Sequence, residues 1–193
     1  MREFKLLLSF IVITFLLAGC GSQGNFDNIS SKSDDYDVLN IPRAEITEGD
    51  FVYRLVTEKE EYQKGDSVKI YAELEYIGDK ETVTIYHAAS PFYFPIVEKT
   101  RDYDISYSMN EPLLSTTLKK GEPLREEYKK SGGYGEQDKK EYADFIKSFW
   151  ENGFPAGYYV VEGYVDFYVQ SNEDSNDKED FNIKTQIDFK VNE

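Results

Sequence analysis

Catalysis needs a nucleophile, a base or metal ligands, and this chain is short of all three, with one histidine and one cysteine among 193 residues. His87 lies in Ile85-Tyr86-His87-Ala88-Ala89-Ser90-Pro91, where a hydrolase would pair it with Ser90 and one of many carboxylates. That spacing alone defines no triad, and the chain has no Gly-x-Ser-x-Gly elbow. A structural histidine at a strand end is the simpler reading, so no catalytic residue is assigned. The aromatic, proline-bounded stretch around it remains a candidate functional loop, with His87, Ser90, Phe92 and Tyr93 as its residues.

Cys20 has a different chemistry. It follows Leu17-Ala18-Gly19 at the end of an apolar run, the order of a lipobox: an aliphatic residue and two small ones before a cysteine that becomes lipid-modified. Arg2 and Lys5 form a basic n-region, and residues 6–17 supply an apolar h-region. A run of that length falls short of the roughly 20 residues a membrane-spanning helix needs. Residues 1–19 thus read as a lipoprotein signal peptide and Cys20 as the lipidated amino terminus. The expected location is the outer face of the cell membrane, and the membrane itself is the first expected partner. Two acyl chains hold a protein there far more firmly than one.

With Cys20 lipidated and one histidine left, no zinc site can be assembled. Glu173, Asp174, Asp177, Glu179 and Asp180 cluster, but they lack the Asp-x-Asp/Asn-x-Asp/Asn-Gly order of a calcium loop. Ser131-Gly132-Gly133-Tyr134-Gly135 lacks the Gly-Lys-Ser/Thr that a phosphate loop requires. No metal and no cofactor is expected.

The elements that would position any site come mainly from a period of two. Residues 20–50 are rich in Ser, Asn, Asp and Gly and read as a flexible linker, with a reach of about 30 Å. Ile41-Pro42 and Ile46 could alternatively form a first strand. From Phe51 to Glu193 strand signals alternate with turns. Phe51–Val56, Val68–Tyr76 and Val83–His87 come first. Phe92–Ile96, Asp104–Met109 and Leu113–Leu118 are weaker, and Tyr159–Val169 and Phe181–Val191 are the strongest. Tyr62–Asp66 reads as a turn and Ser171–Asp180 as a solvated acidic loop.

One helix is expected over about 138–151, with Tyr142, Phe145, Ile146, Phe149 and Trp150 on one stripe. Asp138 and Glu141 have the form of a capping box, and Gly153 and Pro155 end the helix. The expected fold is mainly β: an Ig-like, two-sheet antiparallel sandwich with that helix inserted. Phe154-x-x-Gly157-x-Tyr159 has the form of a tyrosine corner.

Tyr62-x-x-Gly65-Asp66-x-Val68-x-Ile70, Tyr76-x-Gly78-Asp79, the Phe154–Tyr159 corner and the lipobox together resemble the Ig-like-domain lipoproteins of low-GC Gram-positive bacteria. The resemblance implies a sandwich domain on a lipid anchor and assigns no activity. The strand-turn pattern is also faintly similar to the sandwich domain of the Bacillus intracellular proteinase inhibitor, though no inhibitory loop matches.

Charge limits the partners. The net charge of −15 becomes −16 once Arg2, Lys5 and Glu3 leave with the leader, which disfavours nucleic acid. Sixteen tyrosines are the remaining oddity. Alternation turns Tyr158, Tyr164 and Tyr168 outward in one row with Glu162 and Asp166, an interaction face for a protein, peptide or envelope glycan. The expected function is noncatalytic binding by an anchored domain. The alternatives are inhibition of exported proteases through Ala88–Pro95, or an envelope hydrolase using His87.

Overall fold

Residues that alternate apolar and polar every second position can bury one face of a sheet, and most of this chain does so. The computed structural model describes residues 40–170 and 177–193. Its strands, in chain order, are β1 (Arg43–Glu48), β2 (Phe51–Thr57), β3 (Glu61–Gln63), β4 (Ile70–Tyr76), β5 (Thr82–His87), β6 (Phe92–Tyr93), β7 (Ile96–Glu98), β8 (Tyr103–Ile105), β9 (Leu114–Lys119), β10 (Leu124–Glu127), β11 (Gly157–Val161), β12 (Tyr164–Gln170), β13 (Lys178–Lys184) and β14 (Ile187–Asn192). One helix, α1 (Lys140–Asn152), precedes β11. The chain is mainly β with one inserted helix, as its periodicity predicts.

One antiparallel sheet has the order β1-β2-β4-β10. The other ladders are β13-β12-β5-β9 and β3-β14-β11-β7-β8, and their register joins them. Val161 faces Ile187 and, three residues on, Tyr164 faces Lys184, three residues back. β11–β12 and β13–β14 are therefore the two arms of one long hairpin, interrupted at residues 162–163 and 185–186. Tyr53, Leu55, Ala72 and Leu74 of the first sheet share a core with Ile85, Val161, Val165, Phe167, Ile183 and Phe189 of the second. Full burial of each of the larger aliphatic and phenylalanine side chains contributes about 2 kcal/mol.

Several sequence expectations change here. β1 lies within residues 20–50, so the fold begins before Phe51 and not after a linker ending at Asp50. Its polar residues mark an edge strand: Arg54 of β2 pairs Glu45 at 2.5 Å and Glu75 of β4 at 2.6 Å. The Tyr62 region is a short strand, β3, parallel to β14, and the turn follows at Gly65. Lys178–Asp180 belong to β13 rather than to a loop, and residues 171–176 of that expected loop lie outside the described residues.

The helix keeps its stripe but not its cap. The N-cap is Lys139, without a side-chain hydrogen bond, and the Asp138 carboxylate accepts the Gly135 N–H at 2.6 Å instead. Phe145, Ile146 and Phe149 are buried, whereas Trp150 is 47% exposed and donates its indole N–H to the Gly132 carbonyl. At the other end Gly153, at φ 87°, donates to the Phe149 carbonyl, and Lys130 Nζ donates to the Phe149 and Trp150 carbonyls. That cation meets the negative end of the helix dipole.

The tyrosine corner is present, with the Tyr159 hydroxyl donating to the Pro155 carbonyl at 2.6 Å. Tyr53, equally buried in the facing sheet, has no hydrogen-bond partner for its hydroxyl among the described residues. Burial raises both phenols above their ordinary value. The two should answer oppositely to loss of the hydroxyl. Tyr159→Phe should lower the unfolding free energy by about 1 kcal/mol, and Tyr53→Phe should leave it unchanged or slightly higher. Urea denaturation of the two variants checks this, and equal losses would refute it.

Candidate functional site: a groove between tyrosine stacks

The outer face of β12 follows from strand alternation. Val165 and Phe167 point into the core, so Tyr164, Asp166 and Tyr168 point out. Register then brings them partners that sequence spacing cannot reveal. Tyr168 lies opposite Tyr86, and the rings stack at 5.0 Å between centroids. Tyr164 lies opposite Tyr93 and stacks at 4.6 Å. On the far side of β12, Lys178 sits 4.2 Å over the Tyr168 ring and Lys184 5.6 Å over the Tyr164 ring. Each row is thus lysine, tyrosine, tyrosine, running across the strands and held by cation–π and stacking contacts.

Between the two rows the strand facing β12 makes a detour. From Tyr168 to Tyr164 β12 advances four residues, while its neighbour advances seven, from Tyr86 to Tyr93. The extra three residues form a bulge. It is fixed at several points: the Ala89 N–H donates to the Asn110 carbonyl, and the Asp166 N–H donates to the Pro91 carbonyl at 2.9 Å. Pro91 thus lies opposite the Asp166 backbone, and the Asp166 carboxylate accepts from the Asn182 amide at 3.2 Å on the β13 side.

The result is a depression of about 370 Å³, ended by Tyr86 and Tyr168 on one side and Tyr93 on the other, with Glu111, Leu113 and Asp180 on its rim. A second depression of about 470 Å³ lies past Tyr164 at the interruption of the long hairpin, lined by Pro95, Glu162, Gly163, Lys184 and Gln186. Burial raises the Tyr93 phenol above its ordinary value, helped by Tyr164, Asp166 and Glu111. Burial and then Asp166 do the same to Tyr164. Both hydroxyls therefore stay protonated at neutral pH and can donate.

The candidate residues divide. Tyr164, Tyr168 and Asp166 share the groove with Tyr93, and Glu162 lines its second part. Tyr158 does not join them. It is 2% exposed, and its hydroxyl donates to Asp188 at 2.6 Å. The expectation of an exposed Tyr158 fails because the same carboxylate takes the N–H groups of Asn40 and Ile41, which bring chain over that end of the sheet. Sequence reading missed Tyr86, Glu111, Leu113, Lys178, Asp180 and Lys184. Period-two alternation marks Tyr86 and Lys184 as outward, but only the register places them beside β12.

The residues around His87 are not a protruding loop. Phe92 is fully buried, and β6 is paired to β12. His87 and Ser90 go to separate partners. The Nδ1–H of His87 donates to the Ala88 carbonyl at 2.8 Å, which leaves Nε2 to accept the Thr116 hydroxyl at 2.8 Å. Ser90 donates to Glu126 at 2.9 Å and accepts the Phe92 N–H at 3.0 Å. These four bonds hold the bulge, and therefore the groove.

Among the described residues no group of three or more His, Cys, Asp or Glu side chains could hold a metal ion. Glu173 and Asp174 of the acidic cluster, and Leu17, Ala18, Gly19 and Cys20, lie outside the described residues. No described helix is long and apolar enough to cross a membrane. Fold and site together define a β-sandwich with a tyrosine-walled, acidic groove on one outer face. No family model and no curated protein matches the chain.

Proposed function

We propose that this chain is a protein lipid-anchored to the outer face of the cell membrane, whose sandwich domain binds a ligand, without turning it over, in the groove along β12. The anchor rests on Leu17-Ala18-Gly19-Cys20 and the basic, apolar leader before it. The binding reading rests on one observation: two tyrosine pairs bracket a fixed bulge and leave a depression with hydroxyls and carboxylates at its walls. A small set of placed polar groups in a concave aromatic frame is the usual composition of a ligand site. The hydrolase alternative needs His87 free to act on Ser90, and both are engaged elsewhere. The inhibitor alternative needs Ala88–Pro95 to enter a cleft, and Pro91, Phe92 and Phe94 are buried.

Tyr164→Ala tests the reading. It removes the ridge between the two depressions and one ring of a stack, and should weaken a captured partner at least tenfold. Circular dichroism of the variant should be unchanged, since Tyr164 lies outside the core. A partner bound equally by both proteins would refute the site.

A further inference from the structure

We propose that the ligand of this groove is an extended, basic peptide segment lying along β12, with one cationic side chain in the first depression and a neutral one in the second; the inference rests on the groove being the binding site. Sugar rings bind proteins by stacking on free aromatic faces, and here both faces of each β12 tyrosine are already covered. Tyr168 lies between Lys178 and Tyr86, and Tyr164 lies between Lys184 and Tyr93. What the two β12 tyrosines leave for a ligand is ring edges and hydroxyls, beside the charge of the groove.

The charge is one-sided in the first depression. Glu111, Asp166 and Asp180 line it beside the His87 ring, no lysine or arginine lines it, and the nearest cation, Lys178, is held over the Tyr168 ring. In the second depression Glu162 is matched by Lys184. Leu113, 69% exposed at the first rim, offers an apolar surface for the aliphatic stem of a lysine or arginine. Spacing fits a peptide as well. The chain residues of the two depressions, Asp166–Tyr168 within β12 and Glu162–Tyr164 at its entry, are centred four positions apart, about 13 Å at strand rise. Side chains four apart on an extended peptide point the same way at the same separation. A second copy of this chain is disfavoured as occupant by its own net charge of −15, which repels it from an acidic groove.

The test uses the full chain in nonionic detergent and a nine-residue Ser/Thr peptide carrying lysine third and valine seventh. Binding should weaken as salt rises, and Asp166→Asn with Asp180→Asn should weaken it about tenfold. The control pair Glu60→Gln with Glu136→Gln, exposed carboxylates outside the groove, should change nothing. Equal weakening by the control pair would overturn the proposal, because attraction to the whole acidic surface would then account for binding. A neutral hexasaccharide of β-1,4-linked N-acetylglucosamine separates the two levels of the reading. If it binds, Tyr164→Ala abolishes its binding and the peptide fails, the groove stands as the site and the basic peptide is wrong. If neither probe binds, the basic peptide is overturned and the groove loses its support as well.

Discussion

Asp188→Ala should cost about 3 kcal/mol of stability, although the residue touches neither the groove nor the central core. Its carboxylate is 1% exposed and accepts three hydrogen bonds: the Asn40 N–H at 2.9 Å, the Ile41 N–H at 2.6 Å and the Tyr158 hydroxyl at 2.6 Å. The Asp188 N–H in turn donates to the Ile41 carbonyl. Residues 40–41 are therefore bound to β14 of one sheet, while Arg43 a step later pairs Val56 of the other. That short crossing ties the two sheets together at one edge. Removing a charged acceptor from several donors costs about 1–3 kcal/mol for each that stays buried. Asn40 and Ile41 are both exposed and their N–H groups can turn in part to water, so the buried Tyr158 hydroxyl carries most of the loss, at the upper end of that range.

Denaturant midpoints of Asp188→Ala and Asp188→Asn check this. The amide retains one acceptor oxygen and should lose about half as much. Hydrogen exchange gives a local readout: amides of β1 should open in Asp188→Ala while those of β12 stay protected. If the midpoint stays within the error of the parent protein, the carboxylate is not what fastens the chain.

The same contact shows why part of the fold could be read from sequence and part could not. The β12–β13 hairpin was legible because both strands alternate cleanly, from Val165 to Val169 and from Phe181 to Val191. Tyr159 was legible because a corner is local, its hydroxyl reaching only to Pro155. Tyr158 was misread for the opposite reason. Its parity does place it on the outer face, but what covers it is attached to Asn40, 148 residues from Asp188. β1 stays open between linker and first strand in the sequence, because an edge strand keeps polar residues and its partner Arg54 lies on another strand. The groove was half legible. Tyr164, Asp166 and Tyr168 follow from period two, whereas Tyr86 and Tyr93 face them only after a three-residue bulge that no local pattern announces. The same bulge parts His87 from Ser90, which in sequence look paired.

Gly157→Ala should be the other large loss, about 3 kcal/mol, from a change of a single methyl group. Sequence reading places Gly157 in the tyrosine corner, but its reason for being glycine lies in a neighbouring strand. Glu98, at the end of β7, is completely buried, and its carboxylate lies against Gly157. A Cβ there would come 3.1 Å from Glu98 Cδ and 3.3 Å from Arg101 Nη1, with Glu98 Oε1 closer still. The carboxylate has little freedom to yield. It accepts the N–H groups of Thr100 and Arg101, each at 3.0 Å, and pairs Arg101 Nη1 at 3.2 Å. Arg101 also donates to the Ala156 carbonyl at 3.1 Å, so the arrangement is locked from both sides of Gly157. Displacing a buried, multiply bonded charge is among the costliest single changes, about 3–5 kcal/mol when one partner is lost outright. A displaced carboxylate that regains some water brings this to the lower end. A double-mutant cycle isolates the cause. Glu98→Ala removes the group the methyl strikes, so Gly157→Ala should cost far less in that background than alone. Gly133→Ala provides the comparison, since nothing lies within 4 Å of its added Cβ, and it should be near neutral. Additive losses at 98 and 157 would mean that the methyl disturbs the corner itself, and the account of Gly157 through Glu98 would fall.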